Sequence, residues 1–249
     1  MMRLVDTHAH IEELENVDAV LERAKKAGVS AIIAVGSNFN SNMRVLELSQ
    51  KYRGFIYPAI GIHPLEVETL QDSSIGFIES KIDECVAVGE VGLDYRSEIN
   101  KSLQKKIFQK MLMIARKHSK PVSLHSRGAW EDVLSYMLDH GIVKGVFHWY
   151  SGPLEILKKI LDSGYYISAT PAVEYSPKHR EAIMETPIDA LLLETDTPVK
   201  YRGIQSEPSH VSKVLDFVAK IKNISASELA EVTTENSHSL FGIDDGGVC

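Results

Sequence analysis

The sequence predicts an α/β protein built as a (β/α)8 TIM-type barrel, with or without local distortion. Its 249 residues match the usual length of one such barrel. Short apolar runs alternate with amphipathic segments from one end of the chain to the other, and polar residues follow several of these runs directly. We therefore expect residues 1–249 to form a single barrel domain.

Eight short apolar runs are the candidate strands. They are Leu4–Val5, Ala31–Val35, Phe55–Ile60, Cys85–Val88, Pro121–Leu124, Val143–Phe147, Tyr165–Ala169 and Ala190–Leu193. Runs without regular polar alternation are typical of parallel strands that are buried on both faces. No linker or low-complexity tract separates them.

Helical periodicity occurs between the runs. Apolar stripes at helical spacing begin at Val17, Ile107, Trp130, Leu154 and Val211, and a capping box at Ser225–Glu228 begins a last helix. Strands that alternate with helices allow either a closed barrel or an open doubly wound sheet. The barrel is favoured because the polar residues follow strands along the whole chain, whereas an open sheet concentrates its site at one switch point.

Composition excludes some functions. The net charge of −7 argues against a broad surface that coats nucleic acid by neutralising phosphates. A nuclease is still allowed, because bound metal ions can supply positive charge where a phosphate lies. The two cysteines, Cys85 and Cys249, indicate no disulfide framework. Without a signal sequence or a membrane-length apolar run, we expect a cytoplasmic protein with no membrane contact.

Residues suited to metal binding follow five of the runs. His8 and His10 come directly after the first run, and residues two apart in an extended chain point the same way. Taken alone, this pair is weak evidence for a metal site and is better explained as a polar loop. Four further runs are followed within three residues by Glu90, His125, His148 and Asp196. Six ligands exceed what one ion with an open position needs, so we predict two divalent ions that share a bridging carboxylate. The nitrogen and oxygen donors suit Zn, Mn, Mg, Ni, Co or Fe.

The motifs around these residues resemble a known family. The matching segments are Asp6–His10, Gly61–Pro64, Gly89–Tyr95, Leu124–Arg127, Phe147–His148, Leu193–Pro198, Glu207–Pro208, Asn236 and Leu240–Gly242. In this order they resemble the TatD-type metal-dependent deoxyribonucleases, a branch of the amidohydrolase superfamily. The resemblance covers nearly the full length of the chain.

The resemblance implies a role for each site residue. His8, His10 and Asp196 would hold one ion, Glu90 would bridge, and His125 and His148 would hold the second. Asp196 would also deprotonate the attacking water, and His63 would lie in the pocket, without being a regular ligand, and contact the phosphate. The implied reaction is hydrolysis of DNA, as a 3′–5′ exonuclease on single strands. DNA would be the substrate rather than a stable partner.

Other residues near the strand ends are candidates for substrate binding. The guanidinium of Arg127 suits a phosphate, and the rings of Tyr95 and Trp149 suit stacking on bases. A surface ion pair for Arg127 and barrel-rim packing for the aromatics remain alternatives. Five histidines without motif context are expected at the surface or at helix ends, namely His118, His140, His179, His210 and His238.

Substrate identity is the open part of the sequence reading. Residues 198–203 and 205–206 differ from the residues that are common in the family at these positions, and these loops would shape the pocket. One alternative is a superfamily hydrolase of another amide, lactone or ester, such as aminoacyl-tRNA or a small phosphoester. A second alternative is a non-catalytic metal-binding barrel, although such a module has no need of a complete ligand set. The sequence does not predict an oligomeric state.

Overall fold

The computed structural model describes residues 2–243, and within them one sheet contains eight parallel strands in sequence order. The strands are β1 (Leu4–Ala9), β2 (Val29–Val35), β3 (Ile56–Ile60), β4 (Ala87–Gly92), β5 (Val122–His125), β6 (Gly145–Phe147), β7 (Tyr166–Ala169) and β8 (Leu191–Leu193). Each lies within or overlaps one of the eight apolar runs, which confirms the strand predictions.

The sheet nearly closes between its first and last strands. Beyond β8 the chain runs beside the end of β1, where Ala9 and Thr197 form a parallel bridge. The amide of Asp196 donates to the carbonyl of His8 at 2.9 Å, and the amide of His10 donates to the carbonyl of Thr197 at 2.7 Å. These bonds join the two edges that an open sheet would leave apart, so the predicted barrel is confirmed.

Within residues 2–243, seven helices connect successive barrel strands, and two more follow β8. They are α1 (Val17–Lys26), α2 (Phe39–Lys51), α3 (Ser74–Lys81), α4 (Lys101–Lys117), α5 (Trp130–Asp139), α6 (Leu154–Asp162), α7 (Pro177–Glu185), α8 (Val211–Lys222) and α9 (Ala226–Phe241). The apolar stripes do not predict α2, α3 and α7. A short hairpin, β9 (Lys200–Tyr201) and β10 (Ile204–Gln205), follows β8. No helix among residues 2–243 is long and apolar enough to cross a membrane.

The two ends of the barrel differ in how apolar packing covers them. The larger apolar cluster joins strand and helix residues around the barrel. In a smaller cluster, Leu240, Phe241 and Ile243 pack against strand residues that include Val5 and Ala31. Because these lie near the beginnings of the strands, the end of α9 covers the end of the barrel opposite the strand carboxyl termini. The open mouth is therefore at the carboxyl ends.

Gly92, the last residue of β4, allows a close approach between two strands. Its φ of 148° lies in a region that L-residues rarely adopt, and a Cβ there would lie 1.9 Å from the carbonyl oxygen of His125. That carbonyl also accepts the amide of Leu93 at 3.0 Å. A side chain at position 92 would therefore push apart the ends of β4 and β5.

We expect Gly92→Ala to lower the free energy of unfolding by about 2–4 kcal/mol, through backbone strain and overpacking. Bound metal should fall with it, because the clash is against the backbone of His125. Gly76→Ala is the control, since Gly76 lies inside α3 and a Cβ there meets no atom within 4 Å. That control should gain about 0.5–1 kcal/mol from helix propensity. Urea unfolding and metal analysis measure both effects, and a Gly92→Ala protein with unchanged stability and metal content would contradict this account.

Candidate metal centre

The carboxylate of Glu90 lies at the centre of the barrel mouth, where it is 2 % exposed. Its two oxygens face different groups of imidazoles. Oε2 lies 3.3 Å from Nε2 of His8 and 3.2 Å from Nε2 of His10. Oε1 lies 2.8 Å from Nδ1 of His125, 3.0 Å from Nε2 of His148 and 3.4 Å from Nε2 of His63. One carboxylate on β4 thus joins side chains from the ends of β1, β3, β5 and β6.

Asp196 completes the group on the β1 side. Its Oδ1 lies 3.7 Å from Nε2 of His8 and 3.8 Å from Nε2 of His10. Candidate ligand atoms of His8, His10 and Asp196 all lie within 4.8 Å of one another. The same is true of His63, Glu90 and His125. All six side chains named as ligands from the sequence therefore meet in one place.

The chemistry of these donors fits divalent cations. Imidazole nitrogens and carboxylate oxygens bind first-row divalent metals, and no sulfur takes part in the groups found among residues 2–243. Nε2 of His8 is buried and has no hydrogen-bond partner. A buried nitrogen without a hydrogen bond is costly, and a metal ion is a partner to which it can donate its lone pair. The residues present therefore fit a metal centre.

The outer nitrogens of the imidazoles are held by oxygen atoms. Nδ1 of His8 lies 3.2 Å from Oγ of Ser123, and Nε2 of His125 lies 2.9 Å from Oδ2 of Asp94. Nδ1 of His148 lies 3.3 Å from Oε1 of Glu194. Such contacts fix the orientation and the tautomer of a metal-binding histidine. Sequence reasoning missed this role of Ser123, Asp94 and Glu194, although the last two lie inside the recognised motifs.

Electrostatics within the cluster favour an ionised Glu90. Burial raises the pKa of this carboxyl, but the surrounding imidazoles outweigh burial and hold the pKa well below its ordinary value. Burial lowers the pKa values of His10 and His148, yet hydrogen bonds and charge from nearby carboxylates raise both well above the ordinary value. Without metal, protons on histidines therefore balance the buried negative charge. A cation must displace those protons, so its affinity falls as pH falls.

His63 differs from the other imidazoles in its hydrogen bonding. Its Nδ1 accepts the backbone amide of Leu65 at 3.2 Å, so the neutral ring carries its proton on Nε2. Burial lowers the pKa of His63, which favours this neutral form. Nε2 lies 3.2 Å from Nδ1 of His125 and 3.4 Å from Oε1 of Glu90, and His63 lines the cavity, where this N–H can donate a hydrogen bond. This arrangement suits contact with an oxygen atom better than metal ligation.

A cavity of about 760 Å³ opens above the cluster. Arg127 and Trp149 line it, as expected for substrate-binding residues. Nε of Arg127 lies 3.1 Å from Oδ2 of Asp94, and the side chain is 59 % exposed, so its terminal NH groups can reach a ligand. Tyr95 is absent from the cavity lining found within residues 2–243. Its hydroxyl instead donates to Asp132 on α5. Its contact with substrate stays a prediction.

One histidine without motif context lies at a helix end, as expected, but is buried. His179 is in the first turn of α7, and its side chain is fully buried. Its Nδ1 donates to the carbonyl of Tyr150 at 2.7 Å, and its Nε2 accepts the amide of Thr170 at 3.1 Å. The ring therefore joins the loop after His148 to the loop after β7. The residues around His179 in the sequence do not indicate this burial, because only the packing of α7 brings the two loops into contact with the ring.

Comparison with known proteins gives a consistent result. The family model described as TatD related DNase matches residues 5–242. An uncharacterized metal-dependent hydrolase, YabD of Bacillus subtilis (strain 168), is 34% identical over 255 residues, covering 97% of this chain and 100% of its own length. Deoxyribonuclease TATDN3 of Homo sapiens is 30% identical over 258 residues, covering 96% of this chain and 94% of its own.

A solved structure agrees with the sequence relatives. The crystal structure of YJJV, a TatD homolog from Escherichia coli K12, superposes with a TM-score of 0.91 at 29% identity. The match covers 97% of this chain and 98% of that one. Agreement over nearly the whole of both chains means that the complete fold is shared, not only a fragment of the sheet.

We expect the buried His179 to make stability depend on pH. Burial lowers its pKa to about 4, while an unfolded histidine titrates near 6.5. Between these values the unfolded chain binds the extra proton, so the contribution of His179 is complete above pH 6.5 and is lost as pH falls towards 4. His179→Gln should cost about 1–3 kcal/mol at pH 7.5, because two buried backbone groups lose a partner. It should also flatten the fall in stability by up to about 1.4 kcal/mol per pH unit.

Urea unfolding of metal-free protein at pH 7.5, 6.5 and 5.5 measures both effects. His140→Gln is the control, since His140 is only half-buried at the end of α5. Parallel curves for wild type and His179→Gln between pH 6.5 and 5.5 would refute the role assigned to this imidazole.

Proposed function

The chain belongs to the TatD-related DNase family of metal-dependent deoxyribonucleases, and from this premise we propose that it removes nucleotides from the 3′ ends of single-stranded DNA with two divalent ions. The observation that carries the proposal is the division of the Glu90 oxygens between two groups of imidazoles. A single-ion site needs only one such group. The extent of the family match supports one hydrolase domain over residues 1–249.

The ligands divide between the ions by their distances to Glu90. His8, His10 and Asp196 would hold the first ion, on the side of Oε2. His125 and His148 would hold the second, on the side of Oε1, and Glu90 would bridge. Zn, Mn, Mg, Ni, Co and Fe all suit these donors. Two divalent ions would supply Lewis acidity at the phosphoryl oxygens and would lower the pKa of the attacking water.

Residues of the chain supply the proton transfer and the positioning. Asp196 lines the cavity and would accept the proton of the attacking water while the oxygen of that water bonds to phosphorus. The bond from phosphorus to the 3′-oxygen of the shortened strand then breaks, and that oxygen takes a proton from solvent. Nε2 of His63 would donate to a phosphoryl oxygen, and the terminal NH groups of Arg127 would bind another.

Aromatic side chains in the same cavity support a nucleic-acid substrate. Trp149 and Trp130 line it, and Trp149 packs against Tyr201 with ring centroids 5.4 Å apart. That packing holds the indole in place, which lowers the entropy lost when a base stacks on it. The rings of Trp130 and Trp149 lie on the same side of the mouth as Arg127. A base and its phosphate can therefore be bound together.

The metal-loaded protein is expected to release labelled mononucleotide first from 3′-labelled single-stranded DNA. The same sequence in a blunt duplex should react about 10-fold more slowly, since opening one base-pair step costs about 1.4 kcal/mol. Aminoacyl-tRNA assayed in parallel tests the alternative ester substrate. Internal cleavage, or release of the amino acid with no attack on DNA, would contradict the proposal. Metal analysis of the purified protein gives the number and identity of the ions.

Two substitutions distinguish the residue that accepts the proton from the residue that bridges the ions. Asp196→Asn keeps the shape and an oxygen ligand but removes basicity, so turnover should fall by roughly 10²-fold or more while at least the ion at Glu90, His125 and His148 is retained. Glu90→Ala should lose metal together with activity. Metal stoichiometry and kcat are measured on each protein. Near-normal turnover by metal-loaded Asp196→Asn would move the base elsewhere, with His63 as the next candidate.

A further inference from the structure

The two halves of the cavity wall carry different chemistry. Because the strands follow one another in order around the barrel, the loops after β1, β2 and β3 lie opposite those after β5, β6 and β7. We call the first set of loops the acidic half, after the only acidic side chains in the lining outside the metal cluster. These side chains, within residues 2–243, are Glu13 after β1 and Glu66 after β3.

Neutral hydrogen-bonding groups surround the two carboxylates. Ser37, Asn38 and Ser41 also line the cavity in the acidic half. Oε2 of Glu66 lies 3.4 Å from Nδ2 of Asn38, which orients this carboxylate. Glu13 and Glu66 line the same cavity, and burial together with neighbouring carboxylates raises the pKa of Glu13, although the charge of His10 lowers it. Hydroxyl groups of a ligand can be bound here, but an anionic group of a ligand would be repelled by the two carboxylates.

The opposite half of the mouth is cationic and aromatic. Arg127 is its charged lining residue among those described, and Trp130, Trp149 and Tyr175 supply rings. The guanidinium of Arg202 lies over the ring of Tyr175, 5.2 Å from its centroid, and the side chain is 61 % exposed. Arg202 pairs with Glu174 at 3.6 Å, but both side chains are exposed, so a phosphate can replace that weak pair.

A strand that is cut near its end has the same asymmetry. On one side of the scissile phosphate, each nucleotide adds a phosphate and a base, which suit cations and aromatic rings. On the other side lies one nucleoside, whose terminal hydroxyl can donate to a carboxylate. A further phosphate on that side would face Glu13 and Glu66 at short range, where like charges repel. The continuing strand therefore fits the cationic half, and the terminal nucleoside fits the acidic half.

We infer that Glu13 and Glu66 are specificity-determining residues that select a strand end with a free hydroxyl and reject an end that carries another phosphate. The inference rests on the proposed exonuclease function, under which the selected group is the 3′-hydroxyl. It explains the restriction to ends by charge rather than by a steric block, since a continuing strand would place a phosphate where a 3′-phosphate lies.

The test compares two single-stranded oligonucleotides of one sequence, ending in a 3′-hydroxyl or a 3′-phosphate. Wild-type protein should favour the 3′-hydroxyl at least about 10-fold in kcat/KM, the scale of one short-range charge repulsion at a protein surface. Glu66→Gln and Glu13→Gln keep the side-chain shape, and together they should reduce the preference to about 3-fold or less, mainly through faster cleavage of the 3′-phosphate substrate. Glu22→Gln, on the exposed face of α1 away from the cavity, is the control and should keep the full preference.

Hydrolysis of bis(p-nitrophenyl) phosphate by each variant reports the chemical step without a strand end. Equal rates on this ester, with lost discrimination on oligonucleotides, would support the inference. Similar rates on both oligonucleotide ends by wild type, or an unchanged preference in the double variant, would overturn it and leave the exonuclease function intact. Hydrolysis of the ester with no release of 3′-terminal nucleotides would overturn the exonuclease function, and this inference with it.

Discussion

A buried carboxylate surrounded by imidazoles is the constraint on which the mouth of this barrel depends. Removing the charge of Glu90 from water is costly unless positive charge lies beside it. In the metal-free chain that charge comes from protonated histidines, of which His10 and His148 have the strongly raised pKa values. Metal ions supply it when protons leave. The carboxylate is therefore balanced by protons or by metal ions, and the two compete for the same nitrogens.

Closure of the barrel makes this arrangement possible. Asp196 can reach the histidines of β1 only because the chain after β8 is hydrogen-bonded to the end of β1. The backbone of Asp196 itself is left-handed, with φ of 48°, an uncommon conformation for a residue other than glycine. Such a conformation is kept where the surroundings determine it, here by bonds on both sides of the residue. The site is thus built from the same contacts that close the sheet.

Asp94 connects the metal centre to the substrate side of the cavity. Its carboxylate, almost fully buried, contacts Nε2 of His125 and Nε of Arg127 and accepts the amides of Arg96 and Ser97. Burial raises the pKa of Asp94, but these partners outweigh it and bring the pKa to about 2. One fixed negative charge therefore orients both a candidate ligand and a phosphate-binding group. The relation between them is set by the protein before substrate arrives.

The sequence by itself determined the strands, the order of the fold and the identities of the candidate ligands. Apolar runs buried on both faces are a local signal, and so is a histidine or carboxylate directly after such a run. Only the tertiary structure decided which oxygen of Glu90 faces which imidazole, that Ser123 and Glu194 hold the outer nitrogens, that His179 is buried, and that the hydroxyl of Tyr95 faces Asp132. Each of these depends on contacts between elements far apart in the chain. Local patterns specify which face of an element is apolar, but the partner across the barrel is fixed only when the strands close and the helices pack.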